Sequence, residues 1–406
     1  MPGTGRGARL SADARTLLAI QALRAFAYGL GSVVIGLSLA RAGLSGLEAG
    51  GVFAALLAGS AVVSLTVGRY GDRAGRRRVY RALLAVMAVA GTAFALTTEP
   101  LLLVLAALSG TVSAEVVESG PFASLEQAML AQLEAGRGRT RLFARYNTVA
   151  TLAGSLGALA AGGPALLGGV LPALPGSQRL LLAYPLAALA ASVLATRLSP
   201  AVERGVVLGG DVLPALHRSR GVVLRLSGLF ALDSFGGGFV TQALIAYLFA
   251  RRFGVSAEML GAVFFAVGLL QAASFQVAVR IAARIGLLRT MVFTHLPSNL
   301  LLAAIAFAPS LELAFGLLLA RSALSQMDVP TRQAYVAAVV DESERTAAAA
   351  YTNAARYAAR PAGPLAAGAL VGVALGAPFL VGGAIKALYD LGLYVLLRGT
   401  PVEGET

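Results

Sequence analysis

The chain has 406 residues, 57% of them apolar and 13% charged, with a net charge of +13 and a mean hydropathy of +0.76. A soluble globular chain is about 25% charged, so composition alone points to an integral membrane protein with the lipid bilayer as its solvent. With no cysteine, disulfides and thiolate sites are excluded; two histidines argue against an imidazole metal cluster, and no cofactor or metal is expected.

Residues 1–15, with Arg6, Arg9 and Arg15, read as a short basic tail ahead of a first apolar run too long for a signal-peptide core. Apolar runs able to cross a hydrocarbon core of about 30 Å as helix then recur along the chain. They lie near 17–39, 48–68, 79–97, 101–130, 142–170 and 179–198, and near 222–250, 257–280, 288–308, 311–340, 346–373 and 378–397. The cations do not form the patch or tail that a nucleic-acid partner would need. They fall in alternate loops, densest between Arg69 and Arg81, and the opposite loops hold only Arg41, Arg179, Arg251 and Arg252. By the positive-inside rule both termini are cytoplasmic and the chain is a multi-pass protein of the cell membrane.

The chain also resembles itself. A shift of 206 residues puts Gln127, Arg139, Thr140 and Asn147 on Gln333, Arg345, Thr346 and Asn353, and Tyr28-Gly29-x-Gly31 is echoed by Phe235-Gly236-x-Gly238. The expected fold is therefore all-α, with twelve transmembrane helices in two pseudo-symmetric six-helix bundles. The N-terminal bundle covers 1–198, a Gly- and Pro-containing cytoplasmic linker covers 199–221, and the C-terminal bundle covers 222–406.

Between the second and third runs stands GRYGDRAGRR, 68–77. It resembles the signature of the major facilitator superfamily, Gly-x-x-x-Asp-Arg-x-Gly-Arg-Arg, with Gly68, Asp72, Arg73, Gly75, Arg76 and Arg77 in register. A worn copy follows the eighth run, where Arg284 and Gly286 stand for Arg73 and Gly75 and Ala283 replaces the acid. Asp72 has the chemistry to cap the positive end of a helix, and the resemblance names that helix as the eleventh span. That span opens after DESER, where Asp341 and Glu344 have the spacing of a capping box. Gly68 would permit close helix contact. Together these residues read as a cytoplasmic latch, shut when the protein faces outward and broken when it faces inward.

Charges inside spans must face protein or water. On a helical wheel Glu115 and Glu126 fall about 20° apart and Glu118 about 60° to the other side, an acidic stripe interrupted by Gly120-Pro121. Arg321, Asp328 and Arg332 make a second, mostly basic stripe in the tenth span, within about 40°. Asp233 precedes Gly236-Gly237-Gly238, where the seventh helix is expected to break or bend; Lys386 and Asp390 read as an i,i+4 structural pair. The resemblance places the first, fourth, seventh and tenth spans around a central cavity. The site residues are then Arg24, Glu115, Glu118, Asp233, Arg321, Asp328, Arg356 and Arg360 for protons and substrate, and Glu126 with Arg332 for the cytoplasmic gate. Five acids and five arginines would leave the cavity near neutral, with substrate charge open. Under the 206-residue shift Glu115 lands on Arg321 and Glu126 on Arg332. Glu126–Arg332 is thus expected to pair across the halves when the cytoplasmic side is shut, and Glu115–Arg321 to exchange with substrate or proton.

The function these features imply is secondary active transport of a small-molecule substrate by alternating access in a monomer. Protons are expected to drive it through Glu115, Glu118 or Asp233. No GxxxxGK[ST] loop is present for a primary pump, and no nucleophile–base constellation suggests an enzyme. GPLAAG, 363–368, resembles the Gly-Pro antiporter motif more closely than GSLGALAAGG, 154–163, and tilts the expectation to efflux. Proton-coupled uptake is the alternative, with a non-transporting membrane sensor behind it.

Overall fold

The computed structural model describes residues 10–113, 115, 120–133, 136–164, 177–203, 216–341 and 344–399, and among them it contains helices and no strand. The α-helices are α1 (Ala12–Arg41), α2 (Gly46–Ala74), α3 (Arg76–Leu96), α4 (Pro100–Leu108), α5 (Gly120–Leu133), α6 (Gly136–Ala160) and α7 (Ala183–Ala195) in the first half. The second half holds α8 (Arg220–Gly238), α9 (Gln242–Phe253), α10 (Ala257–Ile285), α11 (Leu287–Ala304), α12 (Leu311–Leu324), α13 (Asp328–Val339), α14 (Arg345–Ala359), α15 (Ala362–Val371) and α16 (Ala377–Leu397). Glu118 and residues 165–176 lie outside the described residues, as does the side chain of Asp72.

Helix occupies every one of the twelve expected runs, and eight helical segments are each long and apolar enough to cross a membrane. The fourth, tenth and eleventh runs fall short because they are broken, and the fifth is described only as far as residue 164. The outer surface is apolar: Val62, Val89, Leu101, Val193, Val279 and Val395 are all more than 60% exposed. Charged side chains such as Arg24, Glu126, Asp233 and Asp390 are buried. That inversion of the soluble pattern is what a lipid-facing bundle requires.

The breaks have local causes. Gly120 takes φ +87° and is followed by Pro121 at the start of α5, so the described residues between α4 and α5 are not helical and the acidic stripe has no continuous helix to lie on. The seventh run parts after its three glycines, and Thr241 starts α9 by accepting a hydrogen bond from the Leu244 amide. Ser325–Met327 separate α12 from α13, and Pro361, which has no N–H to donate, separates α14 from α15. Gly75 (φ +86°) and Gly286 (φ +84°) make the turns from α2 to α3 and from α10 to α11. This positive φ suits glycine far better than any other residue, which explains why the worn second copy of the loop keeps its glycine and loses its acid.

Two carboxylates seat helix N-termini at the end of the bundle that carries the chain ends. Glu203 accepts from the amides of Arg76 (2.8 Å) and Arg77 (3.1 Å) at the start of α3. Glu344 accepts from His217 (2.7 Å), Arg218 (2.9 Å) and Ser219 (2.8 Å) at the start of α8. The expected Asp341/Glu344 capping box on α14 is therefore not formed: Glu344 caps α8 instead, and α14 has no side-chain cap. Three amide donors hold the Glu344 carboxyl down at about 2. A lowered carboxylate pKa stabilises the fold above the unfolded value and loses that contribution as pH falls through the folded one. In detergent, Glu344→Gln is expected to lower Tm at pH 7, and the gap to the parent chain to close between the usual glutamate range and about pH 2. Thermal melts across that window check it.

The halves meet at the end away from the chain termini. There α2 packs on α15, α1 on α9 and α6 on α10. A Cβ on Gly50 would stand 2.5 Å from Pro364 O, and one on Gly46 2.6 Å from Gly368 O, so these helices approach to backbone contact only because the residues are glycine. Tyr247 and Arg251 of α9 both donate to Leu44 O, at 2.9 and 3.0 Å. Among the described residues, no interface of comparable extent joins the halves at the terminal end.

Candidate substrate cavity

Below this seal lies a cavity of about 240 Å³ between the halves. Its walls come from the break regions: Glu115 beyond α4, Asp233 to Gln242 across the α8–α9 break, Arg321 to Arg332 across the α12–α13 break, and Arg356 and Arg360 ahead of the α14–α15 break. Broken helices free polar backbone and side chains where an unbroken helix would offer only its flank. The rest of the wall comes from α6, α10, α11 and α16.

The structure brings together Glu115, Asp233, Arg321, Asp328, Arg356 and Arg360, and adds Arg332, expected at the gate, and Lys386, expected in a structural pair. Asp233 is the hub. Lys386 of α16 donates to its Oδ1, and Arg332 of α13 stands 3.6 Å from Oδ2. Arg332 also holds Asp328 at 3.1 Å and lies over the Phe230 ring, 5.5 Å from its centroid. Lys386 therefore does not bind Asp390: its amine turns to Asp233 on α8, while Asp390 accepts from Asn299 (2.8 Å) and pairs with His295 Nδ1 (2.8 Å). Across the halves, Arg360 pairs with Glu115 at 2.6 Å.

Two expected site residues lie elsewhere. Arg24 (1% exposed) and Glu126 (0%) are absent from the cavity wall and form a bidentate pair inside the first half, at 3.2 and 2.5 Å. Tyr146 donates to Glu126 Oε2 at 2.6 Å and Tyr80 to Oε1; Arg24 also donates to Gln21 and Tyr28 and covers the Phe122 ring at 4.3 Å. α5 carries Glu126 against α1, so its nearest cation is Arg24 and not Arg332. The cross-half pair Glu126–Arg332 was expected with the terminal end shut; with that end unsealed, each residue has a partner in its own half. Glu115 likewise pairs with Arg360, not Arg321.

The loop residues have local duties. Arg76 is buried and donates to Ala128 O and Val202 O at 3.3 Å each, and Arg77 pairs with Glu203 at 3.1 Å. Arg73 is exposed, and a Cβ on Gly68 would meet nothing within 4 Å. The His295–Asn299–Asp390 cluster had a sequence signal that went unused: two polar residues at i and i+4 on one helix face.

The wall carries five permanent cations, Arg321, Arg332, Arg356, Arg360 and Lys386, against three carboxylates, Glu115, Asp233 and Asp328, among the described residues. Against the balance expected from sequence, Arg24 and Glu126 leave the count as a pair, Lys386 enters it, and Glu118 lies outside the described residues.

A two-lobed helical bundle with a charged cavity between its lobes, built on broken helices and sealed at one end by glycine contacts, defines a membrane transporter fold. The chain belongs to the Major Facilitator Superfamily, whose family model matches residues 17–320. It is similar to an uncharacterized membrane protein of Saccharomyces cerevisiae, YJR124C, with 26% identity over 97% of this chain and 96% of the relative. Among solved structures it resembles the nucleoside transporter NupG (TM-score 0.74, 14% identity, 95% of this chain and 99% of that one). It also resembles a bacterial homologue of the human lysosomal transporter Spinster, inward-facing and occupied (TM-score 0.70, 14% identity, 96% of both chains). The chain is thus a multi-pass membrane protein of a transporter family rather than of an enzyme family.

Proposed function

We propose that the chain is a proton-coupled secondary transporter that moves a small solute through the cavity by alternating access. The loop arginines favour the cytoplasm for both termini, and on that reading the unsealed end faces inward. The observation that carries the reading is the bonding of Asp233. It sits on α8 between cations on α13 and α16, so relative movement of three separate helices changes how well its charge is compensated. An acid in that position binds a proton in one state and releases it in the other. Glu115, bridged to Arg360 across the halves, is broken or formed by the same rocking motion and couples it to the site. Efflux is the direction favoured by GPLAAG, whose Gly363 packs on Phe235 and Gly238 of α8 while Pro364 and Gly368 meet α2 at the sealed end.

Purified chain in liposomes with a lumenal pH dye tests this. A carrier shows proton flux that depends on added solute and reverses with the imposed pH gradient. Lack of solute-dependent flux across a broad metabolite panel, from protein that is folded and inserted, would leave the sensor reading standing.

A further inference from the structure

The walls of the cavity bear on what is carried. The three wall carboxylates among the described residues already face cations: Asp233 faces Lys386 and Arg332, Asp328 faces Arg332, and Glu115 faces Arg360. Arg321 makes no ion pair with any of them, and it shares with Arg356 and Arg360 a buried Nε that has no hydrogen-bond acceptor. It sits in the last turn of α12 and lines the cavity. A guanidinium presents planar donors matched to carboxylate and phosphate oxygens, and leaving such a donor unmet inside a protein is costly. An unmet donor calls for an explanation, and on the wall of a cavity a bound ligand supplies one.

Two further features agree. The N-terminus of α9 opens onto the cavity at Thr241 and Gln242, and a helix N-terminus carries partial positive charge. Ser322, Ser325 and Gln326 beside Arg321 supply neutral hydrogen-bonding groups without adding negative charge. The volume of about 240 Å³ is below the roughly 300–1,000 Å³ of drug-sized pockets, which favours a metabolite-sized solute.

We infer that the transported solute is a small organic anion, bearing a carboxylate or phosphate group, and that Arg321 receives that group in the cavity. This rests on the carrier reading above and adds the substrate class to it.

Matched aromatic probes separate charge from shape: phenyl phosphate, benzoate, benzamide and benzylammonium, titrated calorimetrically into the protein in nanodiscs. The two anions are expected to bind about tenfold or more tightly than benzamide, with no binding of benzylammonium. Arg321→Gln should weaken the anions by about tenfold or more and leave benzamide unchanged, while Arg321→Lys keeps part of the gain. Benzamide or benzylammonium binding as tightly as the anions would overturn the proposal. So would unchanged anion affinity in Arg321→Gln, or no anion heat at millimolar concentration. The charge series on the parent chain decides the matter even if Arg321→Gln does not fold. Counterflow of labelled benzoate in liposomes keeps the two readings apart. Anion binding without exchange across the bilayer would end the carrier reading and leave the anion site standing.

Discussion

Glu126→Gln is expected to cost the first half about 3–5 kcal/mol, the usual penalty for removing one member of a buried ion pair. The carboxylate accepts from Arg24 twice, from Tyr80 and from Tyr146, and its loss leaves a guanidinium 1% exposed with no counter-charge. Four helices, α1, α3, α5 and α6, are tied through that one side chain. The expected readout is a melting temperature lower by the order of 10 °C, at about 2–4 °C per kcal/mol for a unit of this size. The swap Arg24→Glu with Glu126→Arg should recover more than either single change, because the tyrosine hydroxyls can accept as well as donate. The swap Glu126→Arg with Arg332→Glu tests the other arrangement, a gate that pairs across the halves when the terminal end closes. Rescue of transport by that second swap and not by the first would contradict a permanent Arg24–Glu126 tie.

Asp233→Asn is expected to abolish proton-driven accumulation, by at least about a hundredfold, while leaving solute exchange at equal concentrations measurable. The scale follows from the loss of the proton-binding group itself: a neutral amide takes up no proton in either state, so solute movement is no longer tied to the pH gradient. Misfolding is the competing explanation for lost activity. Removing both charges, Asp233→Asn with Lys386→Met, takes away the uncompensated amine and should restore expression and melting temperature, and Arg332 keeps Asp328. Proton coupling should stay lost. Recovered coupling in the double variant would show that another group carries the proton.

The sequence made the scaffold legible because its signals are local. Apolar runs, alternate basic loops and the glycines before Phe239 each report on a few neighbouring residues, and helices appear where those runs stand. The partners of the buried charges were not legible. Glu115 and Glu126 share a stripe only if the helix between them is continuous, and Gly120 with φ +87° and the non-helical residues before it remove that premise. Lys386 had Asp390 at i+4, yet it reaches Asp233, 153 positions away, because α16 turns that face to α8. Tyr80 and Tyr146 stand in no motif, and their hydroxyls make two of the four hydrogen bonds to Glu126. The internal repeat informed correspondence better than contact: under the 206-residue shift Arg24 and Glu126 match Phe230 and Arg332, which meet as a cation over a ring. The same helix contact is kept in both halves with different chemistry.

Alternating access is the central claim, and the cysteine-free chain allows it to be measured at both ends. Single cysteines at Ala246, fully buried under the seal between α1 and α9, and at Gln271, on the cavity wall, would be labelled in membranes with and without solute and across pH. Labelling should move reciprocally, so that any condition raising reactivity at Ala246→Cys lowers it at Gln271→Cys. Reactivities that rise and fall together, or an Ala246→Cys that never reacts while solute exchange proceeds, would contradict the account.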